Sequence, residues 1–280
     1  MIEAKIPKII HQIRIGPKKP PLDLIATWQS MNPTWQHMLW NDDLIQQHYP
    51  KGFKNQRLID EITEWAGKAD IMRYEILHDF GGFYIDADSI CINALDEFFI
   101  ESDCFAGFEN EQARGNLVAN GYIGAVKGCE LMKILSEEIS KKQHVSQEKT
   151  GKMAWQTVGP LFFTETIIKY SYPIDIYPSY VFIPEHYSGL KYSGNGKSYA
   201  HQLWGSTKEL TDPNFYNNLT HKQVNLVKLD ITALPVYYIN LAQAKERDEH
   251  MQSMLTRLGF TNINRVEAIK HENKVIGCAL

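Results

Sequence analysis

Asp70, Arg73, Asp86 and Asp88 fall within one stretch, residues 69–88, ADIMRYEILHDFGGFYIDAD. Asp86 and Asp88 stand two residues apart. On an extended backbone that spacing puts both carboxylates, together with Tyr84, on one side of the chain. Carboxylates held side by side repel each other unless positive charge comes between them. A divalent cation carrying a phosphorylated ligand is the usual solution. Asp70 and Arg73 lie three residues apart, on one face of a helix. Arg73 has the planar fork of donors that suits phosphate or sugar oxygens, and Asp70 has the two acceptors that suit vicinal hydroxyls.

The positioning elements can be read around these groups. Ile71, Met72, Ile76 and Leu77 give the helix an inward face, and Gly81-Gly82 ends it. Phe83, Ile85 and Ala87 then alternate with Tyr84, Asp86 and Asp88, which predicts a strand with its apolar side buried. Upstream, residues 8–13 and 35–40 read as strands, and residues 22–31 as a helix closed by Asn32-Pro33. Asp42 is expected to cap a short helix through Tyr49. Downstream, residues 104–108 and 122–126 read as strands, and residues 130–141 and 160–170 as helices. The alternation predicts an α/β layered fold with a largely parallel sheet, its ligands gathering at the carboxyl ends of the strands. Residues 188–197 are glycine-rich and read as a mobile loop able to close over a ligand. Residues 234–269 read as a small βαβ-like unit, with a boundary near residues 211–225.

Composition narrows the options. The chain has 280 residues, 44% of them hydrophobic, and a net charge of -4. That is ordinary for a globular protein and large enough for one sizeable core. No basic stripe points to nucleic acid. No apolar run reaches the roughly 18 residues that span a bilayer, and the start lacks a signal peptide's apolar core. Cys91, Cys104, Cys129 and Cys278 form no CxxC pair and read as buried thiols of a reducing compartment. The expected setting is a cytoplasm. His11 reads as a hydrogen-bonded core histidine, and Trp28, Trp35, Trp40 and Trp65 as core aromatics.

The coupled block AD-x-x-RY-x-x-L-x-x-x-GG-x-Y-x-D-x-D resembles the DXD glycosyltransferases of family 32, the group of capsular polysaccharide transferases and the yeast initiating mannosyltransferase; the glucosylating clostridial toxins share its core. IPKIIHQI, Trp28, Pro33, Leu39-Trp40, Gly159-Pro160, Phe182, Pro184, His201 and Gly205-Ser206 continue the pattern in order. The resemblance implies a GT-A type Rossmann-like mixed sheet flanked by helices, a nucleotide-sugar donor, a divalent metal (Mn²⁺ or Mg²⁺) and retention at the transferred carbon. It places Asp86 and Asp88 on the metal, with His201 completing the shell. Asp70 and Arg73 would hold the donor sugar and phosphate, with Ile13, Arg14, Tyr84 and Asn120 also on the donor. The physical chemistry agrees: breaking a glycosyl–phosphate bond leaves negative charge on the diphosphate, which a metal anchored by aspartate offsets. A UDP-sugar is favoured over a GDP-sugar, and the acceptor is a glycan, glycolipid or glycoprotein of surface polysaccharide synthesis.

Two positions depart from the pattern. Arg14 stands where the family commonly has tryptophan, leaving base identity open, and Thr207 replaces the tryptophan of a late Gly-Ser-Trp. A second resemblance covers residues 234–269, which look like the opening of the family 25, lipooligosaccharide-type transferases, with VIGCAL at residues 275–280 like a later segment cut short. The expected domains are residues 1–225, a GT-A transferase, and 230–280, a fragment of a second transferase that continues past Leu280 or persists as a relic. A haloacid-dehalogenase-like phosphatase also carries D-x-D but starts near it, whereas 85 residues precede Asp86 here. A catalytically silent sugar-nucleotide or glycan-binding protein is the other alternative.

Overall fold

A computed structural model describes residues 5–192, 194, 196–208, 236–240, 245–257 and 263–267. The chain divides into two compact units, Met1–Asn218 and Leu219–Leu280.

The first unit is built on β1 (Ile9–Ile13), β2 (Gln36–Trp40), β3 (Gly82–Ile85), β5 (Cys104–Phe108), β6 (Val118–Ala125) and β7 (Asp175–Tyr177). These form one sheet in the order β2-β1-β3-β6-β5-β7. β1 pairs in parallel with β2 and β3, β5 in parallel with β7, and β6 antiparallel to both β3 and β5. All but β6 therefore run in one direction, which gives the expected α/β mixed sheet flanked by helices. A separate short ribbon joins β4 (Ser89–Cys91) to β8 (Ala200–Gln202).

Each face of the sheet has its own core. On one face, Tyr84, Ala106 and Ile123 pack with α4 (Trp65–Phe80), α6 (Glu130–Ser140) and α9 (Pro160–Tyr170). On the other, Phe83, Ile85 and Phe105 pack with Trp28 of α1 (Leu22–Met31) and with Phe99 and Phe182. The sequence predicts only one buried side for β3. Both are buried, because a central strand covered by helices on both faces keeps no wet side. The strand also ends at Ile85, and residues 86–88 form a turn into β4. A turn frees the two carboxylates from the pleat, so that each finds its own partners.

Other boundaries shift for local reasons. Asn41, not Asp42, caps α2 (Asp42–His48), its Oδ1 accepting from the Leu44 N–H at 2.9 Å. An unforeseen α3 (Gln56–Glu61) precedes α4. β6 starts at Val118, four residues early: Val118 and Ala119 pair with Phe108 and Gly107 of β5, past a register shift that takes in the turn-prone Asn120-Gly121. Trp65 is 47% exposed, since it sits at the first turn of α4 against Gly16. Gly81 ends α4 at φ 65°, and a Cβ there would lie 2.5 Å from the Lys127 nitrogen, so glycine is required.

Short helices α5 (Glu111–Arg114), α7 (Gln147–Thr150) and α8 (Ala154–Thr157) lie between β5 and α9, and α10 (Gly205–Lys208) follows β8. Cys91, Cys104 and Cys129 are buried free thiols. Cys278, the polar boundary at residues 211–225 and residues 275–280 lie outside the described residues. The second unit contains β9 (Val236–Asn240), α11 (Lys245–Arg257) and β10 (Ile263–Glu267), with the two strands parallel as a βαβ unit requires. Among the described residues, no helix is long and apolar enough to cross a membrane.

Candidate active site

Asp86 follows the carboxyl end of β3, and Asp70 and Arg73 reach the same edge from α4. Because α4 is buried from Ala69 through Leu77, the polar residues of that stretch must be paired inside the protein. Arg73 Nη2 lies 3.1 Å from Asp70 Oδ1 and 3.4 Å from Asp86 Oδ1, and Nη1 donates to the Asn120 carbonyl at 2.5 Å. The guanidinium lies 4.2 Å over the Tyr84 ring. Tyr84 donates its hydroxyl to Asp86 Oδ1 at 3.1 Å. Asn120 Nδ2 donates to Asp70 Oδ1 at 2.8 Å and to the Tyr74 hydroxyl at 3.0 Å, and that hydroxyl donates to the Val158 carbonyl. Asp70 and Arg73, three residues apart on α4, thus belong to a buried network.

Gly121 explains how Asp86 fits. A Cβ at that position of β6 would run into the Asp86 carboxylate. From the other side, Gln12 Nε2 donates to the Asp86 carbonyl at 3.3 Å, and His37 holds Gln12 Oε1 at 2.8 Å. Ser89 caps the turn by donating to the same carbonyl at 2.9 Å.

Asp88 has different partners. The Gln202 amide donates to its Oδ1 at 2.8 Å, and the Gly205 N–H to its Oδ2 at 2.6 Å. Tyr122 fixes Gln202 by donating to Oε1 at 2.7 Å. β8 pairs Gln202 with Ser89 and His201 with Ile90. Alternation along the strand turns Gln202 to Asp88 and His201 to the opposite side, where Glu185, Lys208 and Lys191 set its surroundings. The structure therefore does not bring His201 to the two aspartates. Ile13 packs into the core at the end of β1, and Arg14 Nη2 reaches the Lys19 carbonyl at 3.0 Å. Asp70, Arg73, Tyr84, Asp86 and Asn120 join in one cluster, with Asp88 beside it.

The electrostatics are unbalanced: Arg73 pairs with Asp70 and Asp86, while Asp88 adds a third carboxylate with no basic side chain among its partners here. Burial raises the pKa of all three carboxyls. Arg73 opposes this at Asp70 and Asp86, whereas at Asp88 the charge of Asp86 adds to burial and pushes the group up to about 6. Such a set favours a bound cation. Among the described residues, no three His, Cys, Asp or Glu side chains converge as a ready-made metal cage. Two carboxylates fit an oxygen-preferring divalent ion whose remaining positions are filled by water and ligand phosphate.

Sequence reasoning missed Gln12, Tyr74, Gly121 and Gln202. Gln202 stands next to His201, but only the register of β8 shows which of the two faces inward. A polar Gln12 in an apolar strand was a visible signal.

Residues 22–105 match the family model described as "Glycosyltransferase sugar-binding region containing DXD motif". An uncharacterised glycosyltransferase of Acanthamoeba polyphaga mimivirus is 27% identical, over 59% of this chain and 66% of that protein. Inositol phosphoceramide mannosyltransferase 3 of Schizosaccharomyces pombe is 33% identical, over 33% of this chain and 27% of that protein. The chain thus spans less than two thirds of either relative. Among solved structures, the PaToxG glycosyltransferase superposes with a TM-score of 0.44 at 20% identity, covering 59% of this chain and 70% of that one. The matched stretch, residues 22–105, contains Asp70, Arg73, Asp86 and Asp88, and both curated relatives bear glycosyltransferase names.

Proposed function

We propose that the first unit is a divalent-metal-dependent, retaining glycosyltransferase that moves a hexose or N-acetylhexosamine from a nucleotide sugar, UDP-linked by preference, to a glycan acceptor. The observation that carries this reading is the surplus of carboxylates at the carboxyl edge of the sheet: buried Asp70 and Asp88 and half-buried Asp86, with Arg73 paired to Asp70 and Asp86. Asp86 and Asp88 would hold the ion, and the geometry favours an all-oxygen shell over one that includes His201. That removes the reason to prefer Mn²⁺ over Mg²⁺. When bound, the ion offsets the charge that develops on the departing diphosphate.

The chain's own residues do the rest. Asp70, fixed by Arg73 and Asn120, offers its second oxygen to vicinal sugar hydroxyls. Arg73, stacked on Tyr84, is preorganised, so little side-chain entropy is lost when phosphate or sugar oxygens arrive. Tyr84 and Arg73 both engage Asp86 Oδ1, which suits Asp86 to orienting the donor; a retaining transfer without a covalent nucleophile would have the acceptor hydroxyl attack beside the leaving group. The second unit is read as the opening of a family 25-like domain, a reading supported by its parallel strands.

Nucleotide release from a panel of UDP- and GDP-sugars, with Mn²⁺, Mg²⁺ or EDTA, tests the proposal. Metal-dependent release from one donor is expected. If no donor is turned over and calorimetry finds no metal-dependent nucleotide binding, the transferase reading fails.

A further inference from the structure

Two tryptophans flank the carboxylate cluster. The backbone of Trp155, in α8, and the Asp70 carboxylate come together at Gly159: a Cβ built there would lie 2.7 Å from the Trp155 Cα and 2.9 Å from Asp70 Oδ2. Trp204 immediately precedes Gly205, the residue whose N–H holds Asp88. Trp204 adopts φ 59°, a left-handed conformation that side chains other than glycine rarely take, and its indole N–H donates to the Glu185 carbonyl at 2.9 Å. The ring packs against the buried apolar cluster on the Phe83 face of the sheet and meets His186 edge-on at 5.3 Å.

Arg114 and Tyr187 span the interval between the tryptophans. The Arg114 guanidinium lies 5.1 Å from the Trp155 ring and 5.9 Å from the Tyr187 ring, and its Nη2 donates to the Tyr187 hydroxyl at 3.0 Å. The Tyr187 and Trp204 rings meet edge-on at 5.5 Å. Buried Glu109 braces the arrangement from below, with Arg114 Nε at 3.5 Å and His186 Nε2 at 3.2 Å. Glu109 directly follows β5, whose carboxyl end lies on the same edge of the sheet as that of β3.

We infer that the rim Trp155–Arg114–Tyr187–Trp204 is the acceptor subsite, and that its occupant is a pyranose ring of the acceptor glycan; this rests on the transferase reading of the adjoining cluster. A pyranose presents C–H patches bordered by hydroxyls. Aromatic faces attract the C–H patches, and an arginine fork between the rings reaches the hydroxyls. An alkyl chain would gain nothing from the charged Glu109–Arg114 pair set among the rings. Tyr187 is 42% exposed, so it is the ring most open to a ligand.

The test is saturation-transfer NMR on the full chain. The probes are methyl α-D-mannopyranoside, methyl α-D-glucopyranoside, methyl β-D-galactopyranoside and methyl N-acetyl-β-D-glucosaminide. Wild type should bind at least one of them; Tyr187→Ala should weaken that binding roughly ten-fold, while Tyr187→Phe, which keeps the ring, stays within about two-fold. If wild type binds none, or if Tyr187→Ala binds as well as wild type, the inference is overturned, whether or not the donor is turned over. Glycoside binding with neither donor turnover nor metal-dependent nucleotide binding would defeat the transferase reading instead and leave the rim standing as a sugar site.

Discussion

His11 and Asp88 are both buried ionisable groups, and burial is the largest influence on each, yet they end in opposite conditions. At His11 burial lowers the pKa to about 4, the Gly81 carbonyl pulling weakly the other way. The neutral imidazole is complete: it accepts from the Trp40 indole at 3.0 Å on Nδ1 and donates to the Gly81 carbonyl at 2.7 Å from Nε2. At Asp88 burial raises the pKa to about 6, with Asp86 adding to it and the Gly205 N–H and Gln202 amide opposing. Here the neutral condition is reached only when a proton or a cation arrives. A closed polar cluster belongs to the fold. One left with surplus charge has room for a ligand.

The largest effect should come from removing that surplus. Asp88→Asn should slow donor turnover by about 10³-fold while leaving the melting temperature equal to or above that of wild type. The amide oxygen can still accept from the Gly205 N–H, and repulsion from Asp86 is gone. A variant that loses turnover and stability together would make Asp88 a fold residue like His11.

Next in size are the pH slopes of the metal-free protein. His11 is depressed in the fold, so the unfolded chain binds the extra proton. Its stability contribution is present above pH 6.5 and falls by on the order of 3 kcal/mol as pH drops through 4. Asp88 is raised, so its contribution is present below its unfolded pKa and lost as pH rises through about 6. The two terms oppose each other over one window. Chemical denaturation should show stability rising with pH more steeply in Asp88→Asn than in wild type, and less steeply in His11→Gln. Parallel profiles in all three proteins would contradict the comparison.

The smallest effect separates the two sides of β8. Gln202→Ala should change divalent-metal affinity in the presence of nucleotide by about ten-fold, and His201→Ala by less than about two-fold, as read by calorimetry. The reverse ranking would return His201 to the metal shell.

Much of the candidate site was legible because its groups are close in sequence and their spacing matches the period of one helix and one short strand. Asp70, Arg73, Tyr84 and Asp86 meet through local geometry, and the Gly81 break that lets α4 turn back into β3 is written in the chain. Asn120 was named in advance, but its bond to Asp70 spans fifty residues and depends on β6 lying beside β3. Gln202 was not named, because the choice between it and His201 is a choice of strand register, and a shift of one residue inverts it. Trp65 misled for a related reason: an aromatic side chain announces apolar area but not which neighbours cover it.

The sequence by itself determined which groups carry charge, where the helix stops and that strands alternate with helices, since these follow from side-chain chemistry and short-range backbone geometry. Only the tertiary structure decided that both faces of β3 are covered, that Gly121 makes room for Asp86, and that Gln202 faces Asp88. Those outcomes depend on segments distant in the chain, brought together by burial, and burial is a property of the packed whole.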